Sequence, residues 1–292
     1  MRKTHLDLAG FSSLMLFTAV LAGNQLVMKL TSTGLSPVFQ AGLRSALALV
    51  VVLIWAYARG VKLGSWRRDL WPGLAMGTFF TLEFIGLYNA LDLTTVARAS
   101  IIFYAMPMFL SLAGHFLIPG ERLTTLKIVG LVCAFLGVAI VLMDRAGGEA
   151  SLAGDLLALM GALGWAAIAL TVRITRLSEA PPEAQQVWQL SVSAVALLAV
   201  APLFGPLVRD FGVEHVALMG YQVFLVASFG FLGWFYLMKA YPAATVASFS
   251  FLTPVFAVFM GWALLGETLH LSVLIALALV SFGIVLINRK PR

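Results

Sequence analysis

The chain has 292 residues, of which 61% are hydrophobic and only 11% charged. A soluble domain carries roughly 25% charged residues, so there is too little charge here to cover a water-soluble globule, and the surplus apolar surface must face lipid. The net charge of +6 is spread singly or in twos between apolar runs, which excludes the basic face that nucleic-acid binding requires.

A membrane-spanning helix needs about 20 mostly apolar residues. Ten segments meet that length: Leu8–Leu30, Pro37–Ala58, Leu70–Ala90, Thr94–Ile118, Leu123–Met143, Leu152–Thr175, Ala184–Phe204, Val216–Ala240, Ala243–Leu265 and Leu271–Ile287. Met1-Arg2-Lys3 before an apolar stretch superficially resembles a signal peptide. The stretch is too long for one, and it reads as a retained first span. The connections are short and leave no room for a soluble domain. The expected fold is therefore an all-α polytopic membrane protein.

The fourth and ninth spans repeat one another. Ala105–Glu121 and Leu252–Glu267 share a proline, a phenylalanine and a glycine at an offset of 147: Pro107 with Pro254, Phe109 with Phe256, Gly114 with Gly261. Each segment closes on Gly-Glu, at Gly120-Glu121 and Gly266-Glu267. Repetition at this distance divides the chain into halves of five spans, 1–147 and 148–292. Five is odd, so the second half enters the membrane from the opposite side. Such inverted repeats characterise secondary transporters, whose halves exchange conformations around a central site.

Loop charges set the orientation. With a cytoplasmic N-terminus, fourteen basic residues lie inside, among them Arg59, Lys62, Arg67, Arg68, Arg122, Lys127, Arg173 and Arg176; only Lys29, Arg98, Arg145 and Arg209 lie outside. That bias follows the positive-inside rule and places both termini in the cytoplasm.

Several residues stand out within the spans. Arg44 and Glu83 are the two charges farthest from span ends and reach similar depth. Intramembrane charges pair or line a path, and three readings remain open: a structural ion pair, a Glu83 that titrates or meets a substrate ammonium, and an Arg44 that meets a substrate carboxylate. Asn24 and Gln25 are adjacent amides in the first span. They serve as interhelical hydrogen-bond partners or in zwitterion recognition, with at most one facing a cavity. Trp165 is too deep for an interfacial belt and follows Gly161 and Gly164, small residues that bring helices together or leave room for a ligand. Phe80, Phe84 and Tyr88 recur every four residues beside Glu83 and so share a face. With Tyr104, Trp234, Phe249 and Phe251 they are candidates for an aromatic cavity lining suited to amphipathic solutes.

Pro107 and Pro254 bend their helices, either as fixed curvature or as hinges for alternating access. Glu121 and Glu267 read as helix-terminal acids, each preceding the next helix. His115 reads as an amphipathic boundary residue, and Cys133 as small core packing.

The absent motifs matter as well. There is no Gly-x-x-x-x-Gly-Lys-Ser/Thr loop and hence no ATP-driven engine, nor His-Glu-x-x-His, Cys-x-x-Cys or Gly-x-Ser-x-Gly. Four scattered histidines argue against a metal site. The expectation is no catalytic residue, no metal and no cofactor.

The two Pro…Gly-Glu segments, Arg44 in Gly-Leu-Arg-Ser-Ala, Ala90-Leu91, and Gly137 and Gly283 in their Leu-Gly-Val-Ala-Ile-Val-Leu and Phe-Gly-Ile-Val-Leu-Ile settings resemble the drug/metabolite transporter superfamily, specifically its EamA-type ten-helix members. In general appearance the chain is similar to the YddG-type subgroup of bacterial aromatic amino-acid exporters. The resemblance implies a basket in which spans 1, 3, 4, 6, 8 and 9 surround a central cavity and spans 5 and 10 lie outside. It also implies a multi-pass inner-membrane exporter of amino acids or related metabolites, with the bilayer and a small-molecule substrate as partners and protons as a candidate coupling ion. Other solutes within the same fold (a cationic drug, a nucleoside, a vitamin) and a lipid flippase or scaffold are the alternatives. The chain is compatible with a monomer, and its oligomeric state stays open.

Overall fold

A computed structural model describes residues 7–64, 66–144, 151–230, 233, 237, 241, 249 and 251–288. Trp234 and the first part of the expected span Ala243–Leu265, 243–248 and 250, lie outside these residues. The described chain is helical, and its one extended pairing is an isolated antiparallel bridge between Leu35 and Val208. Its helices are α1 (Leu8–Thr31), α2 (Pro37–Ala58), α3 (Trp66–Leu93), α4 (Val96–Phe103), α5 (Met106–Leu117), α6 (Thr125–Met143), α7 (Leu152–Ile174), α8 (Pro182–Val200), α9 (Val213–Gly220), α10 (Leu252–Leu265) and α11 (Leu271–Asn288). A π-helical stretch, Tyr221–Ser228, continues α9. Among the described residues, eight stretches are long and apolar enough to cross a membrane, with two shorter apolar ones, Val213–Ser228 and Leu252–Leu265. The protein is a polytopic helical membrane protein.

The ends of the helices follow from local chemistry. Side-chain oxygens of Asp7, Thr95, Thr124 and Ser151 accept the first free N–H groups of α1, α4, α6 and α7, and proline starts α2 and α8 where its missing N–H costs nothing. Gly266, at φ 69°, ends α10 in the left-handed region.

Two expectations change here. Thr94–Ile118 is not one bent helix: it breaks at Tyr104–Ala105 into α4 and α5. Pro107 therefore sits inside the apolar span Val96–Leu117 but in the first turn of α5 rather than within a continuous helix, because a proline cannot donate back to residue 103. Pro254 stands in the first turn of α10, behind a turn at Phe251. Glu267 does not cap the helix that follows it. Its two carboxylate oxygens accept the backbone N–H groups of Val96 (2.6 Å) and Ala97 (3.0 Å) at the start of α4, 171 and 170 residues away in the chain. An anion suits a helix N-terminus, and the one chosen here belongs to a distant segment.

Close packing relies on glycines where backbones meet. A Cβ on Gly164 of α7 would lie 2.9–3.0 Å from the backbone and Cβ of Glu83, and one on Gly86 of α3 only 2.5 Å from the Leu157 carbonyl oxygen. Gly161 and Gly164 thus bring α3 and α7 together, leaving no space between them for a ligand. α6 and α11 meet in the same way through Gly130, Gly137 and Gly283. In lipid, where burial between helices gains nothing from water, such close approach is what holds helices together.

Arg98 lies not on an outer loop but buried in α4. Its Nη2 donates to Asp155 Oδ2 at 2.7 Å and its Nε to Asp155 Oδ1 at 3.2 Å, and it also reaches the Val141 carbonyl. This joins α4, α6 and the first turn of α7. At the same end of the bundle Arg209 pairs with both oxygens of Asp92 at 2.8 and 2.9 Å. Those hydrogen bonds push the guanidinium pKa above its ordinary range.

Removing one partner of a buried pair leaves an uncompensated charge. Arg98→Met is therefore expected to destabilise the protein by about 3–5 kcal/mol, measured by denaturation in detergent. Arg98→Met combined with Asp155→Leu should recover most of that loss.

Candidate functional site

The sequence-selected residues fall into two neighbouring aromatic groups around α3. In one, Phe80, Phe84 and Tyr88 form a continuous face, with centroid separations of 4.1 and 5.2 Å. The four-residue spacing puts them there, one helical turn apart. In the other, Trp165 of α7 stacks on Phe103 at 5.0 Å and meets the edge of Tyr104 at 5.7 Å. Tyr104 can turn toward Trp165 because it stands at the break between α4 and α5. Phe80, Tyr104 and Trp165 are only partly buried and pack on one core that includes Phe84, Tyr88 and Phe103. Phe251 joins that core, whereas Phe249 packs with Phe11 at the far end of α1, 5.7 Å away.

Between these groups lie the two intramembrane charges, each 6% exposed. No salt bridge within 4.0 Å joins them, although the Arg44 charge acts on Glu83. The Arg44 guanidinium lies 4.7 Å over the Phe84 ring, a cation–π contact, and its Nε donates to the Gln222 carbonyl at 3.4 Å. Glu83 Oε2 is buried without a hydrogen-bond partner. The backbone of Glu83 packs against α7 at Gly164, while Arg44 reaches Gln222 of the π-helical stretch.

The adjacent amides of α1 divide as their geometry demands. Gln25 is buried and its Oε1 accepts the Ser100 hydroxyl of α4, while its Nε2 has no partner. Asn24 is half-buried. Its Nδ2 donates to Met28 Sδ at 3.1 Å, and its Oδ1 has no partner. An acceptor on Glu83, a donor on Gln25 and an acceptor on Asn24 are thus without a protein partner, and Gln25 and Glu83 both act on Tyr104. Buried polar atoms are nearly always paired, which makes these three side chains candidates for contact with a polar solute.

Gln222 is the functional candidate that sequence reasoning missed. It is fully buried in the π-helical stretch. Its Oε1 accepts the Tyr88 hydroxyl at 2.9 Å, and its Nε2 donates to Thr31 Oγ1 at 3.0 Å. One side chain and its own carbonyl thus tie α1, α2 and α3 to the π-helix. An amide in an apolar run was the available signal, but nothing in the spacing names partners 134 and 191 residues away. His115 serves locally: its Nδ1 accepts the N–H of Leu123 at 3.3 Å. Among the described residues no group of three or more metal-ligating side chains converges.

A bundle of apolar helices with interrupted spans is an architecture that membrane transporters use. The sequence matches the EamA-like transporter family twice, over residues 8–143 and again over 152–289, and the chain belongs to that family. Similar relatives include the uncharacterised transporter YvbV of Bacillus subtilis, 28% identical over 88% of this chain and 84% of that protein. The aromatic amino acid exporter YddG of Ancylobacter novellus is 30% identical over 70% of this chain and 71% of that protein. An uncharacterised transporter of Archaeoglobus fulgidus is 30% identical over 88% and 90%. One solved crystal structure superposes with a TM-score of 0.62 at 26% identity, covering 94% of this chain and 97% of its own.

Gln222→Leu leaves the Tyr88 hydroxyl buried without an acceptor. The expected cost is about 1–3 kcal/mol, read as a lower unfolding midpoint. Gln222→Leu with Tyr88→Phe should be less destabilised than the single variant, because both polar partners are then gone.

Proposed function

We propose that this protein is a secondary transporter of the bacterial inner membrane that exports amino acids, aromatic ones included, and related small amphipathic metabolites by alternating access, with no covalent chemistry. The observation that carries the substrate class is the separation of Arg44 from Glu83. A buried cation and a buried anion are each costly alone in a membrane, and here no salt bridge joins the two, although the Arg44 charge acts on Glu83 from a distance. A zwitterion supplies both complements at once: its ammonium to Glu83 and the Asn24 oxygen, its carboxylate to Arg44 or the Gln25 amide. Phe80, Phe84, Tyr88, Tyr104 and Trp165 offer flat apolar surfaces for the side chain. Resemblance adds Trp234 to that lining. The YddG relative supports aromatic amino acids as members of the set.

The cycle rests on two inverted halves, 1–147 and 148–292, each of five spans, with both termini cytoplasmic. The double family match supports that division, as does the pairing of corresponding elements: α2 packs on α8, and α6 on α11. The turn before Pro107 and the turn at Phe251 before Pro254 support hinges at these two prolines, since discontinuous helices are the usual setting of transporter sites.

The test is counterflow into proteoliposomes. Labelled phenylalanine should exchange, and phenylethylamine and phenylpropionate, each lacking one charge, should compete at least about thirtyfold more weakly, the equivalent of about 2 kcal/mol for one unpaired buried charge. Equal competition by phenylpropionate would remove Glu83 from recognition, and absence of exchange for every amino acid would overturn the assignment. Glu83→Gln should lower exchange of phenylalanine and flatten its dependence on pH. A variant with wild-type rate and pH profile would show that Glu83 neither binds the ammonium nor carries a proton.

A further inference from the structure

The end of α2 at Ala58 differs from every other helix end described. Four basic residues, Arg59, Lys62, Arg67 and Arg68, follow within ten positions. Arg68 is engaged, by Glu179 at 2.9 Å and Asp69 at 3.6 Å. Arg59 and Lys62 are exposed, and no described carboxylate pairs with either. Aromatic side chains mark the depth of this region: Tyr57 is 90% and Trp71 77% exposed, and Trp55 lies under the Arg59 guanidinium at 5.5 Å. Aromatic rings beside cationic heads are the composition of a membrane–water interface.

Directly below the cations is a cavity of about 210 Å³. Val51, Ile54, Trp55 and Ala58 line it from one face of the last two turns of α2, and Ser228 and Phe229 close it from the far end of the π-helical stretch. The α2 wall runs about 10 Å along the helix axis, from headgroup level into hydrocarbon. Ile54 and Phe229 are exposed at its rim, so it opens sideways toward lipid. Its polar atom, Ser228 Oγ, is already spent on the Val223 carbonyl at 2.8 Å. Water entering the cavity would find no partners, whereas a hydrocarbon chain would meet apolar wall throughout.

Cations above and an apolar slot below describe the two ends of one amphipathic molecule. We propose that this site binds an anionic phospholipid, its phosphate held by Arg59 and Lys62 and an acyl chain lodged against Trp55, Ala58 and Phe229. The headgroup is anionic rather than zwitterionic because two cations without a described carboxylate partner repel a headgroup ammonium and attract net negative charge. Since the cavity wall includes residues adjoining the π-helix that carries Gln222, occupancy bears on the same segment that ties Tyr88 and Arg44 in place.

Native mass spectrometry of the detergent-purified protein, titrated with phosphatidylglycerol or with phosphatidylcholine of the same chains, tests the site. The first phosphatidylglycerol should be retained on the order of tenfold more strongly than phosphatidylcholine, as expected for two cations near a headgroup. Arg59→Gln with Lys62→Gln should abolish the preference, and Arg67→Gln with Arg68→Gln should leave it intact. Ala58→Phe, which fills the cavity from an exposed position, should weaken retention of both lipids with an unchanged melting temperature. Equal retention of the two lipids by the unaltered protein would overturn the proposal. So would a preference that survives Arg59→Gln/Lys62→Gln or is lost in Arg67→Gln/Arg68→Gln, since either would assign the lipid to a diffuse basic patch.

Discussion

Hydrocarbon offers no hydrogen bonds, so a chain of this composition must satisfy its polar groups from within. That constraint explains the arrangement better than any single contact. Free N–H groups at the start of α4 are met by Glu267, buried Arg98 by Asp155, and the Tyr88 hydroxyl by Gln222. Each partner comes from a distant part of the sequence. The interior is therefore a set of matched polar pairs embedded in apolar helices, and the atoms that remain unmatched stand out. They are spread over the bundle, and three of them, Asn24 Oδ1, Gln25 Nε2 and Glu83 Oε2, belong to residues singled out from the sequence.

Small residues make that centre possible. Glycines at 86, 161 and 164 let α3 and α7 approach until backbone meets backbone. The clamp fixes Glu83 on one helix face while the Gln222 carbonyl draws Arg44 to another. A fixed position for each charge is the kind of preorganisation that favours a dipolar guest.

Much of this was legible from residue order. Apolar run lengths marked the spans, the Pro…Gly-Glu repeat marked two related segments, and four-residue spacing put Phe80, Phe84 and Tyr88 on one face beside Glu83. Periodicity reports which face a residue occupies, however, and not what stands opposite. For that reason Arg98 read as a loop cation, Arg44 and Glu83 read as a candidate pair, and Gln222 went unremarked. Gly161 and Gly164 read equally as space or as contact; only the position of α3 decides. The break at Tyr104–Ala105 was foreshadowed by Pro107, but proline alone does not distinguish a bent helix from an interrupted one.

The bond from Glu267 to the start of α4 also bears on how the protein is made. Ribosomal synthesis delivers α4 to the membrane long before Glu267 exists, since 171 residues separate the acceptor from Val96. Until then the first N–H groups of α4 must borrow water or lipid headgroups, and the break behind them leaves an eight-residue helix with little hold of its own. The cap on α4 is therefore one of the last contacts the chain can form, after the segment carrying Glu267 has been inserted.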